Sequence, residues 1–303
     1  MTDVKAATDT SGMTDAVAAP QTAITDQAVG VETVGTSAAR ELGFSILFLV
    51  FALYILFPLV GVFLFSIATT WFETVLPAGY TLDHVTATIN DPLFGQTIGR
   101  SLIASIATII VSVVLMTPTL FLLHVAAPRM RPIVEFLCLL PFALPTIVLA
   151  LSLIRTYSQK PLVLSGTPQL LILAYVVTGL PFMYRALDNA LRAIDTAVLS
   201  EASSTLGASR WMTFRRVILP NIGPGIMAGA LLVFSVSFGE FTLSSFLVGD
   251  AWKTSGVWTV AIWDDQPHKT TVMVVIGFII SWVVSLVILL AFRKRATIEI
   301  GAR

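Results

Sequence analysis

The chain has 303 residues, 56% of them hydrophobic and 12% charged, with 18 Lys and Arg balanced by 18 Asp and Glu. Soluble domains keep about 25% charged residues to cover their surface. This composition, with a mean hydropathy of +0.87, therefore excludes a soluble enzyme and points to a polytopic membrane protein. Zero net charge provides no electrostatic footprint for nucleic acid. The lone Cys138 excludes a disulfide framework and a thiolate metal site, and reads as a small buried hydrophobe.

Residues 1–42 are rich in Ala, Thr, Asp and Gly, contain no aromatic residue and show no sustained apolar period. They are expected to form a disordered cytoplasmic tail. The basic start and adjoining apolar stretch of a secretory signal are missing, so the tail is expected to be retained.

Six stretches long enough to cross a bilayer as helix follow, at about 43–68, 98–123, 133–154, 169–187, 222–247 and 271–292. Backbone polar groups in lipid must be satisfied within the segment, so the spans are helices, and the alternating ten-residue strands of a membrane barrel are absent. Placing both termini in the cytoplasm puts 13 Lys and Arg inside and 5 outside, with Arg293-Lys294-Arg295 stopping the last span. The membrane domain is thus 43–295, followed by a short cytoplasmic tail, 296–303. An outer connection at 69–97 holds Glu73, Asp83, His84 and Asp91.

The cytoplasmic connection 188–221 is the most informative. Apolar residues at Leu191, Ile194, Val198, Leu199, Ala202 and Leu206 are spaced for one amphipathic helix. Gly207 interrupts it, a second segment over 208–218 carries Trp211, Met212, Phe214, Val217 and Ile218, and Pro220 is expected to stop that segment. A solvated connector is the plain reading. The sharper one is a docking element whose apolar face enters a partner's groove.

Glu201-Ala202-Ser203, then Gly207, then Val217, Leu219 and Pro220 resemble the EAA signature of binding-protein-dependent ABC importer permeases. Ser203 stands where the signature has its second alanine, and Val217 where it has isoleucine. The resemblance covers about 43–295 and implies an all-α fold: six transmembrane helices of the type I ABC importer, with a cytoplasmic coupling helix pair. It implies that Glu201 meets an ATPase or the neighbouring helices, that Ala202 allows close packing, and that Gly207 forms the bend. The implied partners are two cytoplasmic ATP-binding subunits, a second permease expected to be a different chain, an extracytoplasmic solute-binding protein and the bilayer of a bacterial inner membrane. No glycine-rich turn leading to Gly-Lys-Ser/Thr is present. ATP and Mg are accordingly expected to be used by the partner, with no cofactor bound and no catalysis in this chain.

Span five is polar for a lipid-facing helix. Ser237, Glu240 and Ser244 fall at i, i+3 and i+7, hence on one helix face, and a carboxylate at membrane depth belongs in a bundle interior or a wet cavity. These three residues are the candidate substrate path; a hydrogen bond or ion pair inside the bundle is the alternative for Glu240. The string Ser237-Phe238-Gly239-Glu240-Phe241-Thr242 resembles the polyamine-transporting branch, so a polyamine is the expected cargo, with phosphonate, iron, thiamine or an anion as alternatives. Gly223, Gly225 and Gly229 suggest close helix packing. Trp252, Trp258 and Trp263 suggest an interfacial belt or a docking surface. His84, His124 and His268 are scattered, with no metal-ligand spacing. The rival is a secondary transporter, which would need inverted repeats and several intramembrane charges.

Overall fold

The computed structural model describes residues 38–71 and 74–300. The expected tail lies outside the described residues up to position 37, as do Glu73 and Arg303. The described residues divide into two units, 38–56 and 57–300. Among the described residues the elements are helices, with one isolated antiparallel bridge between Ala68 and Tyr80.

In chain order they are α1 (Ala38–Ile67), α2 (Asp83–Ile89), α3 (Pro92–Val125), a 3-10 turn (Pro128–Met130), α4 (Arg131–Ala143), α5 (Thr146–Tyr157) and α6 (Pro168–Ala193). Then follow α7 (Thr196–Thr205), α8 (Arg210–Thr213), a π-helical turn (Phe214–Ile218), α9 (Leu219–Asn221), α10 (Gly223–Phe238), α11 (Thr242–Leu247), α12 (Ser255–Ala261) and α13 (Pro267–Ile300). Among the described residues, four helices are long and apolar enough to cross a membrane unaided: 43–67 of α1, α3, α6, and 267–290 of α13. Two further spans exist if each of two bent pairs counts as one.

The third expected span, 133–154, is one of these pairs. α4 and α5 meet at 103°. Leu144 precedes Pro145, whose ring pushes the preceding residue out of the helical region, and Leu144 is extended (φ −100°, ψ 128°). Span two starts earlier than expected, because the Asp91 carboxylate accepts from Leu93 N at 2.9 Å and Pro92 takes the first helical position. The outer connection therefore contains α2 and the first turn of α3. At the other end α13 continues to Ile300, past the expected start of the tail at 296.

Within 57–303, α3, α6 and α10 form the core. One buried cluster joins Leu120 and Phe121 of α3 to Tyr184, Leu187 and Leu191 of α6, to Phe214 and Ile218 of the π turn, and to Val233 of α10. A second joins Leu170, Leu171 and Tyr175 of α6 to Leu243 and Leu247 of α11. A third gathers Phe234 and Phe238 of α10, Trp258 of α12 and Met273 of α13. α6 and α10 touch so closely that a β-carbon on Gly225 would meet that of Ala190 at 2.3 Å, which only a residue without one permits. The expected packing role of Gly225 and Gly229 is met in this contact and in that of Gly229 with Met183.

Candidate functional site

α6 passes its expected end and runs to Ala193, where the chain turns at Asp195 in the left-handed conformation (φ 46°). The single amphipathic helix read across 191–206 is thus two helices, the end of α6 and α7. The Thr196 hydroxyl secures the turn by donating to Leu191 O at 2.6 Å. On α7, Glu201 and Ala202 are exposed, while Ser203 is buried and donates to Leu199 O at 2.7 Å. A serine is therefore compatible with that position: its hydroxyl is satisfied within its own helix.

Gly207 forms the elbow with φ +79°, a conformation costly for a residue bearing a β-carbon. Its N–H and that of Ala208 close the end of α7 by donating to Ser204 O and Ser203 O, both at 3.0 Å. Ser209 then caps α8 through Met212 N at 3.3 Å. Pro220 stands one residue before the end of the second segment, close to the stop expected there. The π turn at Phe214–Ile218 precedes it, helix continues to Asn221, and the axis bends by 69° into α10. A π turn re-registers the backbone hydrogen bonds, so the proline is accommodated as a bend. Val217 and Leu219 are half-buried and Pro220 is exposed.

The elbow leaves apolar side chains in the open: Val198, Leu206 (88% exposed) and Trp211. Behind it lies a cleft of about 230 Å³ with Phe121 and Val125 of α3 on one wall and Ser200, Glu201, Arg210 and Thr213 on the other. Glu201 and Arg210 place opposite charges on the same cleft.

At the root of the elbow is a cluster that sequence reading missed. Arg131 Nη2 donates to both oxygens of the buried Asp188 carboxylate, at 2.6 and 2.7 Å. Arg192 Nε donates to Oδ2 at 2.9 Å, and His124 Nε2 lies 2.9 Å from Oδ1. One acid thus ties the last turn of α3, the first residue of α4 and the end of α6.

The expected helix face carrying Ser237, Glu240 and Ser244 does not exist, because span five is broken. α10 ends at Phe238 and α11 starts at Thr242. The Glu240 carboxylate accepts from Leu243 N at 2.8 Å and Ser244 N at 3.1 Å, and so caps α11. Ser244 Oγ donates to Glu240 O at 2.8 Å, and Ser237 Oγ to Val233 O at 2.8 Å. Tyr175 of α6 reaches the same Glu240 carbonyl at 3.4 Å. The three residues remain close in the chain, but they belong to a helix end, a break and a helix start.

At the far end, two of the three histidines that looked scattered are stacked. The rings of His84 and His268 lie 4.5 Å apart at 7°, and His268 also stacks on Phe65. Lys269 bonds Asp91 and lies 5.4 Å from the Trp258 ring centre. Trp258 is buried in the core and Trp263 is exposed, so the three tryptophans of 252–263 do not form one surface.

A bundle built on apolar helices long enough to cross a membrane, with a helical elbow between α6 and α10, has the transmembrane fold of an ABC importer. A solved bacterial ABC transporter involved in importing the acidic polysaccharide alginate has a chain that superposes with a TM-score of 0.63 at 16% identity, covering 83% of this chain and 97% of that one. The chain belongs to the family of binding-protein-dependent transport system inner membrane components, whose sequence pattern matches residues 131–294. It is similar to the sulfate transport system permease protein CysT of Escherichia coli (35% identity over 135 residues, 41% of this chain and 48% of the relative). It is similar also to the spermidine/putrescine transport system permease protein PotB of Escherichia coli (31% over 191 residues, 56% and 66%). The chain therefore spans about half of the first relative's length and just under two thirds of the second's.

Proposed function

We propose that this chain is the permease subunit of an ATP-driven, binding-protein-dependent importer that works by alternating access. The observation that carries the reading is the elbow at Gly207. Two short helices meet there at a left-handed glycine, present Val198, Leu206 and Trp211 outward, and are rooted in α6 and α10. A rigid amphipathic element of this kind is suited to dock in the groove of an ATPase subunit and pass its motion to the spans. Glu201, Ala202, Ser203, Gly207, Val217, Leu219 and Pro220 form the coupling segment in this reading.

Two ATPase subunits use ATP and Mg, a second permease of different sequence completes the pore, and an extracytoplasmic binding protein delivers the cargo. Both termini face the cytoplasm, supported by the 13 to 5 division of Lys and Arg. The cargo is a small polar organic solute, with a polyamine ranked first, supported by the Ser237–Thr242 string and by the similarity to a spermidine/putrescine permease. Ser237, Glu240 and Ser244 lie on its path. The test is co-purification from mildly solubilised membranes with the products of neighbouring genes, followed by uptake of labelled spermidine and sulfate. An ATPase recovered with the wild type and lost with Gly207→Pro supports the reading. A chain that purifies alone and moves solute in liposomes without ATP overturns it.

A further inference from the structure

Where α3 ends, α4 begins and α6 approaches the elbow, cationic side chains outnumber acidic ones. Arg131 and Arg192 converge on the single carboxylate of Asp188, which fixes both, yet 57% of the Arg192 side chain stays exposed. Arg185, Asn189 and Arg192 are exposed at i, i+4 and i+7 of α6 and share one outward face. Among the described residues Arg185 has no ion-pair partner, and exposed Arg129 stands in the 3-10 turn that leads into Arg131. Four arginines thus stand with three acids, Asp188, the half-buried Glu135 and the exposed Asp195 just past the end of α6. Beyond them along α4, Ile133, Phe136 and Leu137 are each more than half exposed. A basic cluster at the end of a membrane helix, continued by a bare apolar face, matches an amphiphile with an anionic head and a hydrocarbon tail.

We propose that this junction of α4 and α6 is a binding site for an anionic phospholipid. The headgroup phosphate is held by Arg185 and Arg192, with Arg129 alongside, and the acyl chains lie along the exposed face of α4. Basic pockets between helices at the bilayer surface recruit such headgroups, and a guanidinium pair matches phosphate oxygens in geometry as well as charge. Asp188 acts here as a positioning residue that holds Arg192 in place at the membrane surface. The site stands next to the root of the elbow, so an occupied headgroup braces the point where α6 turns toward α7.

The experiment is native mass spectrometry of the full chain in detergent, titrated with phosphatidylglycerol, with phosphatidylcholine and with inorganic phosphate. The wild type is expected to retain phosphatidylglycerol in preference to phosphatidylcholine, with inorganic phosphate unable to displace it at equal concentration. Each of Arg185→Gln and Arg192→Gln should weaken phosphatidylglycerol binding about fivefold, while Arg185→Lys/Arg192→Lys, which keeps the charge, should retain most of it. Equal retention of the two lipids, unchanged binding in the double Gln variant, or displacement by free phosphate overturns the proposal. So does a double Gln variant that binds lipid normally but loses a protein partner, since the cluster would then be a docking surface for an acidic protein.

Discussion

A β-carbon on Gly256 would stand 2.8 Å from the carbonyl oxygen of Glu240 and 3.2 Å from that of Gly239. α12 therefore rests directly on the broken backbone between α10 and α11, with no room for a methyl group. From the other side the Tyr175 hydroxyl donates to the same Glu240 carbonyl. Irregular backbone at membrane depth is tolerated where protein covers it, and here the cover is Gly256 on one side and Tyr175 on the other.

Gly256→Ala is expected to destabilise the protein by about 1–3 kcal/mol through overpacking against this backbone. Gly239→Ala is the control, because Gly239 has an ordinary φ of −99° and nothing within 4 Å of a built β-carbon. Thermal melting in detergent should lower Tm clearly for the first and little for the second. Equal melting temperatures would show that α12 does not press on the break.

Glu240 should separate capping from transport. Glu240→Ala leaves the Leu243 and Ser244 amides without their acceptor, which costs about 1–3 kcal/mol where the group is buried. Glu240→Gln keeps one acceptor oxygen but leaves one of the two amides unpaired, so its melting temperature should fall between those of the Ala variant and the wild type. If the carboxylate also serves a cationic cargo, the Gln variant loses polyamine uptake while remaining folded. Uptake at the wild-type rate in a stable Gln variant would confine Glu240 to the cap.

These features differ in how legible they were. The apolar spans and the Glu201–Pro220 pattern could be read because both are local: length and hydropathy define a span, and spacing along one segment defines the elbow. The break at Leu144-Pro145 has a local cause, yet a continuous apolar run conceals it. Span five looked helical for the same reason, and its Ser-Glu-Ser spacing suggested a face that the unwound Gly239-Glu240 removes. The Asp188 cluster was illegible in principle, since His124 and Arg131 stand 64 and 57 residues away and only the fold brings them to it. His84 and His268 stack, and Lys269 bonds Asp91, across still longer separations.

Removing the acid of that cluster alone should be worse than removing the pair. Asp188→Leu leaves Arg131 beside the core without its carboxylate, and breaking a buried pair on one side costs about 3–5 kcal/mol. Asp188→Leu with Arg131→Met replaces this ion pair by apolar groups and should recover part of the loss, while Arg192 and His124 still lack their acceptor. The readout is the folded, monodisperse fraction after heating, for both variants and the wild type. A double variant as unstable as the single would mean that the cluster is not held by this ion pair.

Lys269 makes an acid-sensitive contact at the opposite end. Its ammonium hydrogen-bonds the Asp91 carboxylate, which also caps α3 through Leu93 N, and this bond from Lys269 holds the Asp91 carboxyl below its usual range against the upward pull of burial. A carboxyl whose folded-state pKa lies below its unfolded value adds stability that is complete above the unfolded pKa. That stability is lost as pH falls through the folded one. Lys269→Met removes the donor and brings the two values together. The wild type should therefore exceed Lys269→Met in Tm at pH 7, and the gap should close as pH drops below about 4, the ordinary carboxylate range. Asp91→Ala should cost a further helix cap, about 1 kcal/mol, at neutral pH. Melting curves of the three proteins between pH 7 and pH 3 decide the matter: a wild-type advantage over Lys269→Met that persists unchanged to pH 3 would show that the lysine acts through packing on Trp258 and not through the Asp91 carboxylate.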